Sequence, residues 1–335
     1  RLRSEVATAP SGPVAERLPV ARVRVDTGVF HLDQLYDYAV PEKLTALVLP
    51  GVRVQLPFGN RETEGIVVTR VASPEKAGTL KPITKVLSEH CVATPASLTL
   101  IDKAAEFYCC NPWDIVRSAI PPRVASVDKE LSVSRVISQS KIGNKVSAFQ
   151  SFRPFVASDQ QIPELVNRFI SIGSVLIVAP DEKDVDRLIS SLSLNYENVL
   201  RLSSSSTREE RYRNFLLAMR LPTSIVVGTR SSVFAPVNNL AAIIVYKESA
   251  PDHFDLRSPG WNTSTIARMR SEIEGVGLVF TGFTPSVRVA AQIDRGVTKF
   301  YNQKTQVKAL AFTPSDGTLL PGRIYAEIKK ALKNG

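Results

Sequence analysis

Gly228-Thr-Arg-Ser-Ser-Val-Phe-Ala-Pro236, followed by Asn239-Leu-Ala-Ala-Ile-Ile-Val-Tyr-Lys-Glu-Ser249, decides how the rest of this chain is read. Ser224-Ile-Val-Val and Ala242-Ile-Ile-Val are short β-branched runs closed by turn residues. That is the pattern of two buried parallel strands ending at one edge of an α/β sheet. Ligands of such sheets sit at the carboxyl ends of the strands. The loop after the first strand presents Thr229, Arg230 and Ser231, donors suited to a phosphate. A turn with packing duties alone is the competing reading of the same residues. The loop after the second strand, Tyr246-Lys-Glu-Ser249, is where the chemistry of the lobe belongs.

Outward from these strands, a doubly wound α/β pattern runs over 151–335. Its expected strands are Phe152–Ala157, Ser174–Ala179, Asn198–Leu202, Ser224–Gly228, Ala241–Val245 and Gly277–Thr281. Ile162–Ile172 and Asp184–Leu194 have helical spacing, and Thr207-Arg-Glu-Glu210 is a capping box that opens a helix to about Met219. Upstream, residues 18–123 read differently. Ala21-Arg-Val-Arg-Val25, Tyr36-Asp-Tyr-Ala-Val40, Gly51–Gly59 and Glu64–Thr69 alternate as short strands, which suggests a small OB-like β-barrel. From Thr94 the period turns helical, with Leu98, Ile101, Ala105 and Phe107-Tyr108 in one stripe and a second short helix over Asp114–Ala119. Residues 1–17 read as a disordered lead-in, and 124–150, without a sustained period, as a linker.

The chain has 335 residues, enough for two domains that each bury a core. Its +10 charge suits a polyanion, and the stretch from Arg288 onward, nine basic residues against three acidic, carries +6 of it. A solvated basic surface is the alternative. Cys91, Cys109 and Cys110 offer neither a paired framework nor metal spacing, which is expected of reduced thiols in a cytosolic protein. His31, His90 and His253 show no ligand pattern. No apolar run approaches the ~20 residues of a membrane span. The start at Arg1 and the basic end read as a piece of a longer protein.

The run Gly228–Pro236 resembles the G-T-R-S-A/S-V-F-A-P signature of the PriA family of superfamily 2 replication-restart helicases. The N-terminal block is similar to the same family's 3′-end DNA-binding domain. F-D-Y-x-V-P-E reads here Tyr36-Asp-Tyr-Ala-Val-Pro-Glu42, and G-x-R-V-x-V-P-F-G-x-R reads Gly51–Arg61. G-I-V is Gly65-Ile-Val67, and A-L/I-P-P-R is Ala119–Arg123. The resemblance implies a RecA-like helicase lobe behind an OB-like barrel. It also implies that Asp37 meets the base at a 3′ end, where a carboxylate accepts from base amino groups and the terminal hydroxyl but repels a phosphate. Tyr36 and Tyr38 could stack a base or fill the barrel core. Arg22, Arg53 and Arg61 could meet phosphates or be rim charges. The family's winged-helix module has no room in 124–150. Trp261 lies where the family's single-strand-sensing loop ends, and Leu202–Arg211 matches its H-S-x-L-S-x-x-E-R.

The motor motifs depart from the family. Where G-x-x-G-S-G-K-T belongs, Phe152–Ser158 runs into Asp159-Gln160, without a glycine to curl around phosphates or a lysine to neutralise them. Where D-E-E-H belongs stand Tyr246, Lys247, Glu248 and Ser249, and a phenol and an ammonium cannot hold Mg²⁺. Lys247 is expected to add positive charge at that edge. Thr281-Gly-Phe-Thr-Pro-Ser286 keeps the outline of the family's G-S-A-T-P-S coupling loop. The chain resembles the actinobacterial branch with lost ATPase motifs. The resemblance therefore implies a DNA-binding replication-restart protein that recognises forks and 3′ ends. Its implied partners are primosome or helicase-loading proteins and single-strand-binding protein, and its place is the cytoplasm, on the nucleoid. No cofactor is expected in this chain, although the family uses ATP, Mg²⁺ and structural zinc, the last held by cysteines beyond residue 335. The alternative is an active ATP-dependent 3′-to-5′ helicase.

Overall fold

Alternation of apolar and polar residues drives the N-terminal segment into a curled antiparallel sheet. The computed structural model describes residues 12–131, 146–302 and 320–333. Its first strands are β1 (Val20–Val25), β2 (Leu35–Ala39), β3 (Val52–Phe58), β4 (Arg61–Val71) and β5 (Lys85–Cys91). They pair antiparallel in the order β2-β1-β4-β3-β5. Val23, Val54, Leu56 and Val67 fill the inner face and are fully buried. The sheet curls until Ala39, at the end of β2, bridges Pro82 just ahead of β5, which closes a small barrel.

Helices α1 (Pro95–Phe107), α2 (Pro112–Ala119) and α3 (Ala125–Glu130) follow. Thr94 and Ser97 cap α1 reciprocally, and Asn111 caps α2. Leu98, Ile101 and Ala105 of the expected stripe are buried, while Phe107 points outward. The expected linker is not structureless where it is described. Asp128 on α3 takes a hydrogen bond from the Tyr212 hydroxyl (2.8 Å) and an ion pair from Arg123 (2.6 Å). Residues 132–145 of that linker lie outside the described residues, as do 1–11 of the lead-in and 303–319 of the basic stretch.

The lobe contains β6 (Ser147–Ser151), α4 (Ile162–Ile170), β7 (Ser174–Val178), α5 (Glu182–Leu192), β8 (Val199–Leu202), α6 (Arg208–Ala218) and β9 (Ile225–Gly228). It continues with β10 (Leu240–Val245), α7 (Thr263–Glu274), β11 (Gly277–Gly282), α8 (Val287–Asp294) and β12 (Lys299–Tyr301). The strands form one parallel sheet in the order β12-β6-β11-β10-β7-β9-β8. Period-two alternation sorts the two faces. Val175 and Ile177 meet α4 and α5, whereas Leu176 and Val178 share a core with α6 and α7. That second core also takes in Leu98, Ile101 and Trp113, so barrel helices and lobe are packed as one body.

The first strand corrects the sequence expectation: it is Ser147–Ser151, not Phe152–Ala157. Pro154 has no N–H to give the ladder, and Phe155 takes φ +63°, so the strand stops at their approach. The edge strand β12 was unforeseen. Helix α9 (Gly322–Lys333) belongs to a separate unit, with Tyr325, Ile328 and Leu332 exposed along it. Among the described residues no helix is long and apolar enough to cross a membrane.

Gly228 is where β9 hands over to the loop, and a Cβ there would lie 2.1 Å from the Leu202 carbonyl oxygen and 2.7 Å from Ser232 Cβ. Gly228→Ala should therefore cost about 1–3 kcal/mol through overpacking. Urea unfolding should show a lower midpoint at unchanged slope; an unmoved midpoint would contradict the close approach.

Candidate nucleic-acid interface and altered motor loops

On the barrel, β2 sets Asp37 directly across from Arg22 of β1. Arg22 Nε lies 3.3 Å from Asp37 Oδ1, and the Glu75 backbone N–H donates to Oδ2 at 2.7 Å. The carboxylate is thus fixed in direction but keeps lone pairs for a further donor. The tyrosines beside it divide. Tyr38 is core: it is 4% exposed, its hydroxyl donates to the Pro57 carbonyl (3.1 Å), and burial raises its pKa well above the phenol value. Tyr36 is half-buried, edge-on to Phe58, and its hydroxyl donates to Leu32 O. Arg53 is no surface contact. Only 6% exposed, it donates to Pro121 O at 2.6 Å and pairs with Glu64 at 3.1 Å, tying the barrel to the end of α2. Arg61 is exposed and bonds the Thr27 carbonyl (3.0 Å).

At the carboxyl edge of the lobe, Gln161 folds the loop after β6 onto itself. Its side chain accepts from Arg153 N–H (2.8 Å) and donates to the carbonyls of Arg153 (3.3 Å) and Val156 (3.0 Å). Asp159 opens the short 3-10 turn that leads into α4, and Gln160 beside it is exposed. Tyr246 is fully buried, with its hydroxyl 2.6 Å from Ser158 Oγ, and burial raises its pKa strongly. Lys247, at φ +52°, clasps the buried Asp184 of α5 through Nζ, at 2.7 and 2.9 Å. The positive charge expected at this edge is therefore already matched by Asp184. Glu248, also buried, accepts from Ser264 Oγ (3.0 Å), Ser286 Oγ (2.8 Å) and Ser286 N–H (3.0 Å). It links the second loop to the starts of α7 and α8. Ser249 is exposed. These residues do not fit a nucleotide triphosphate: the phosphate loop is cross-braced by a glutamine, and both acid positions next to Glu248 hold groups that cannot ligate Mg²⁺.

Between α2 and the ends of β7 and β9 lies a cleft of about 520 Å³ lined by Arg117, Glu182, Arg211, Thr229, Arg230 and Ser231, with further residues around them. Arg230 donates to the Asp252 carbonyl at 2.7 Å, which holds its guanidinium at the rim. Trp261 is not a sensor exposed to a strand. It is 1% exposed and stands edge-on to Phe234, 5.1 Å between ring centres, and it lines the cleft with Thr229–Ser231. Sequence reasoning does not single out Arg117, Glu182, Asp184 and Gln161 as parts of a site, and it reaches Arg211 only as the end of the Leu202–Arg211 motif. The partners of Arg117 and Asp184, Asp26 and Lys247, lie far away in the chain, so local pattern carries no signal for them.

Glu182 accepts from the N–H and hydroxyl groups of Ser204 and Ser205 and pairs with Arg201 (3.1 Å). Burial alone would raise its pKa, but the bonds from Ser204, Ser203, Ser205 and Arg201 outweigh that and lower it from 4.5 to about 2. The sign follows: its stabilisation is complete above pH 4.5 and is lost as pH falls towards 2. Acid unfolding should be blunted over that window in Glu182→Gln relative to the parent; parallel curves would count against the network. Lys247→Met leaves the buried Asp184 with only the longer ion pair to Arg187, at 3.7 Å. It should destabilise by about 2 kcal/mol, below the 3–5 of a fully buried pair because the ammonium is partly solvated. A thermal melt checks it, and adding Asp184→Asn should recover part of the loss.

Residues 22–121 match the family model described as the PriA 3′ DNA-binding domain (3′BD). The replication restart protein PriA of Mycobacterium tuberculosis, a probable assignment by its own name, is 27% identical over 290 residues, covering 79% of this chain and 44% of that protein. The Mycobacterium leprae counterpart is 27% identical over 293 residues, with 79% and 45% covered. Replication restart protein PriA of Treponema pallidum is 21% identical over 338 residues, with 91% and 51% covered. The chain thus spans less than half the length of the mycobacterial relatives it matches. Among solved structures, the C-terminal domain of S. cerevisiae Dbp5 aligns at a TM-score of 0.38 and 13% identity, over 57% of this chain and 97% of that one. On these sequence matches residues 22–121 are similar to a PriA 3′ DNA-binding domain, and most of the chain is similar to replication restart proteins PriA at 21–27% identity.

Proposed function

We propose that this chain is the DNA-gripping part of a replication-restart protein, which recognises stalled forks or other 3′-ended junctions and works without ATP-driven unwinding. The observation that carries the reading is the match of residues 22–121 to a 3′ DNA-binding domain. The altered motor loops support its second half. Asp37 is the residue that meets the 3′ terminus, its oxygens aimed by Arg22 and the Glu75 N–H. Tyr36 is the tyrosine left to lie against a base, and Arg61 and Arg22 are the cations nearest a phosphate path. On the lobe, Thr229, Arg230 and Ser231 contact backbone phosphate. Helicase-loading proteins and single-strand-binding protein are the partners such a role requires. ATP, Mg²⁺ and structural zinc take no part in the DNA contacts of these residues.

Binding to a fork with a free 3′ leading end should exceed binding to the same fork with a 3′-phosphate. Asp37→Ala should erase that difference while general affinity stays within about twofold. Fluorescence anisotropy on the two forks reads both. Equal affinity of the parent protein for free and blocked ends would defeat the proposal.

A further inference from the structure

The mouth of the barrel site carries a second carboxylate. Glu75 lies on the loop between β4 and β5, and it meets the surroundings of Asp37 twice. Its backbone N–H donates to Asp37 Oδ2 at 2.7 Å. Its side chain turns to Arg22 instead, with Oε2 3.9 Å from Nη2. Arg22 therefore stands between two acids, since its Nε faces Asp37 Oδ1 at 3.3 Å, without the alignment of a hydrogen bond. The two carboxylates are not equivalent. The Asp37 side chain is 13% exposed and held from two sides, whereas that of Glu75 is 72% exposed at the rim. Two acids around one cation leave the cluster acidic, on a chain whose total charge is +10. An inner acid can recognise a strand terminus by accepting from its hydroxyl. Rejecting a terminus that carries phosphate is a different task. Arg22 offsets the charge of Asp37, and an arginine left unopposed attracts phosphate.

We infer that Glu75 is a specificity-determining residue, whose carboxylate guards the 3′-end site against a strand whose last sugar carries a 3′ phosphate. The inference rests on the reading of Asp37 given above and deepens it, because it divides recognition between two acids. Asp37 accepts from the terminal hydroxyl. Glu75 repels the phosphate and keeps Arg22 from pairing with it. A terminal phosphate carries about −1.5 to −2 charges at neutral pH, so one more carboxylate at the rim acts on nearly two charges at once. Glu75 is solvated, which makes its effect moderate and open to screening by salt.

The test is fluorescence anisotropy of the full chain on three forks that differ only at the leading 3′ end: hydroxyl, O-methyl ether and phosphate. The ether removes the donor without adding charge, so it isolates the part played by Asp37. In Glu75→Gln the preference for hydroxyl over phosphate should fall about threefold at low salt, the size of one exposed charge–charge interaction. The fall should come from tighter binding of the phosphate fork, and the ether fork should not share that gain. Glu75→Asp keeps the charge and should retain most of the parent's preference. Raising the salt should shrink the difference between parent and Glu75→Gln, which a purely steric role would not do. Adding Arg22→Met to Glu75→Gln should take the gain away again, because Arg22 is the group the phosphate then meets. A phosphate fork bound no tighter by Glu75→Gln than by the parent would overturn the inference and leave the reading of Asp37 in place. So would a gain shared equally by all three forks. A parent that binds the three forks alike would remove the reading of Asp37 itself, and this inference with it.

Discussion

The loop after β9 rests on one buried contact, the edge-on packing of Trp261 against Phe234. Phe234 ends the turn that Gly228 begins, and Trp261 precedes α7, so the contact fixes the height of Thr229–Ser231 above the sheet. Arg270, inside α7, adds a hydrogen bond to the Val233 carbonyl at 2.7 Å. Tyr108 at the end of α1 accepts from the Asn262 N–H at 3.0 Å, which ties the barrel helices to the same point. Because this core is shared, barrel and lobe meet as packed surfaces rather than through a tether. The cleft between them is therefore a built feature of the fold.

The loops at the positions of the family's motor motifs are held by their own hydrogen bonds. A phosphate-binding loop leaves its N–H groups unpaired for the ligand; here Gln161 takes up one such N–H and two carbonyls. Two carboxylates at a strand end repel each other unless a metal lies between them. Tyr246 and Lys247 remove that need, the first through Ser158 and the second through Asp184. Glu248 keeps its place and serves as a clasp between α7 and α8. Among the described residues these loops form a network bonded to itself, through Gln161, Tyr246, Lys247 and Glu248.

Much of this was legible in the sequence, for identifiable reasons. Strands β7, β9, β10 and β11 are β-branched runs bounded by turn residues, and buried parallel strands announce themselves that way. The helix cap Thr207 is a local signal that survives without tertiary information. The start of the lobe was misplaced because Phe152-Arg-Pro-Phe-Val is more apolar than the true strand Ser147-Ala-Phe-Gln-Ser, and hydropathy cannot see that Pro154 and Phe155 break the ladder. Arg53 and Trp261 were read as surface contacts because charge and aromaticity look the same in sequence whether a partner is solvent, DNA or a carbonyl across the domain. Lys247 was read as spare charge because Asp184 lies on another element.

The central claim is that the grip on nucleic acid has outlived the nucleotide site. A calorimetric titration of the full chain with Mg²⁺ and a non-hydrolysable ATP analogue, in the presence and absence of a saturating 3′-ended fork, tests it most directly. The account predicts no saturable heat for the nucleotide in either case and a fork affinity that the nucleotide leaves unchanged. Stoichiometric nucleotide binding at micromolar concentration, coupled to a shift in fork affinity, would contradict it.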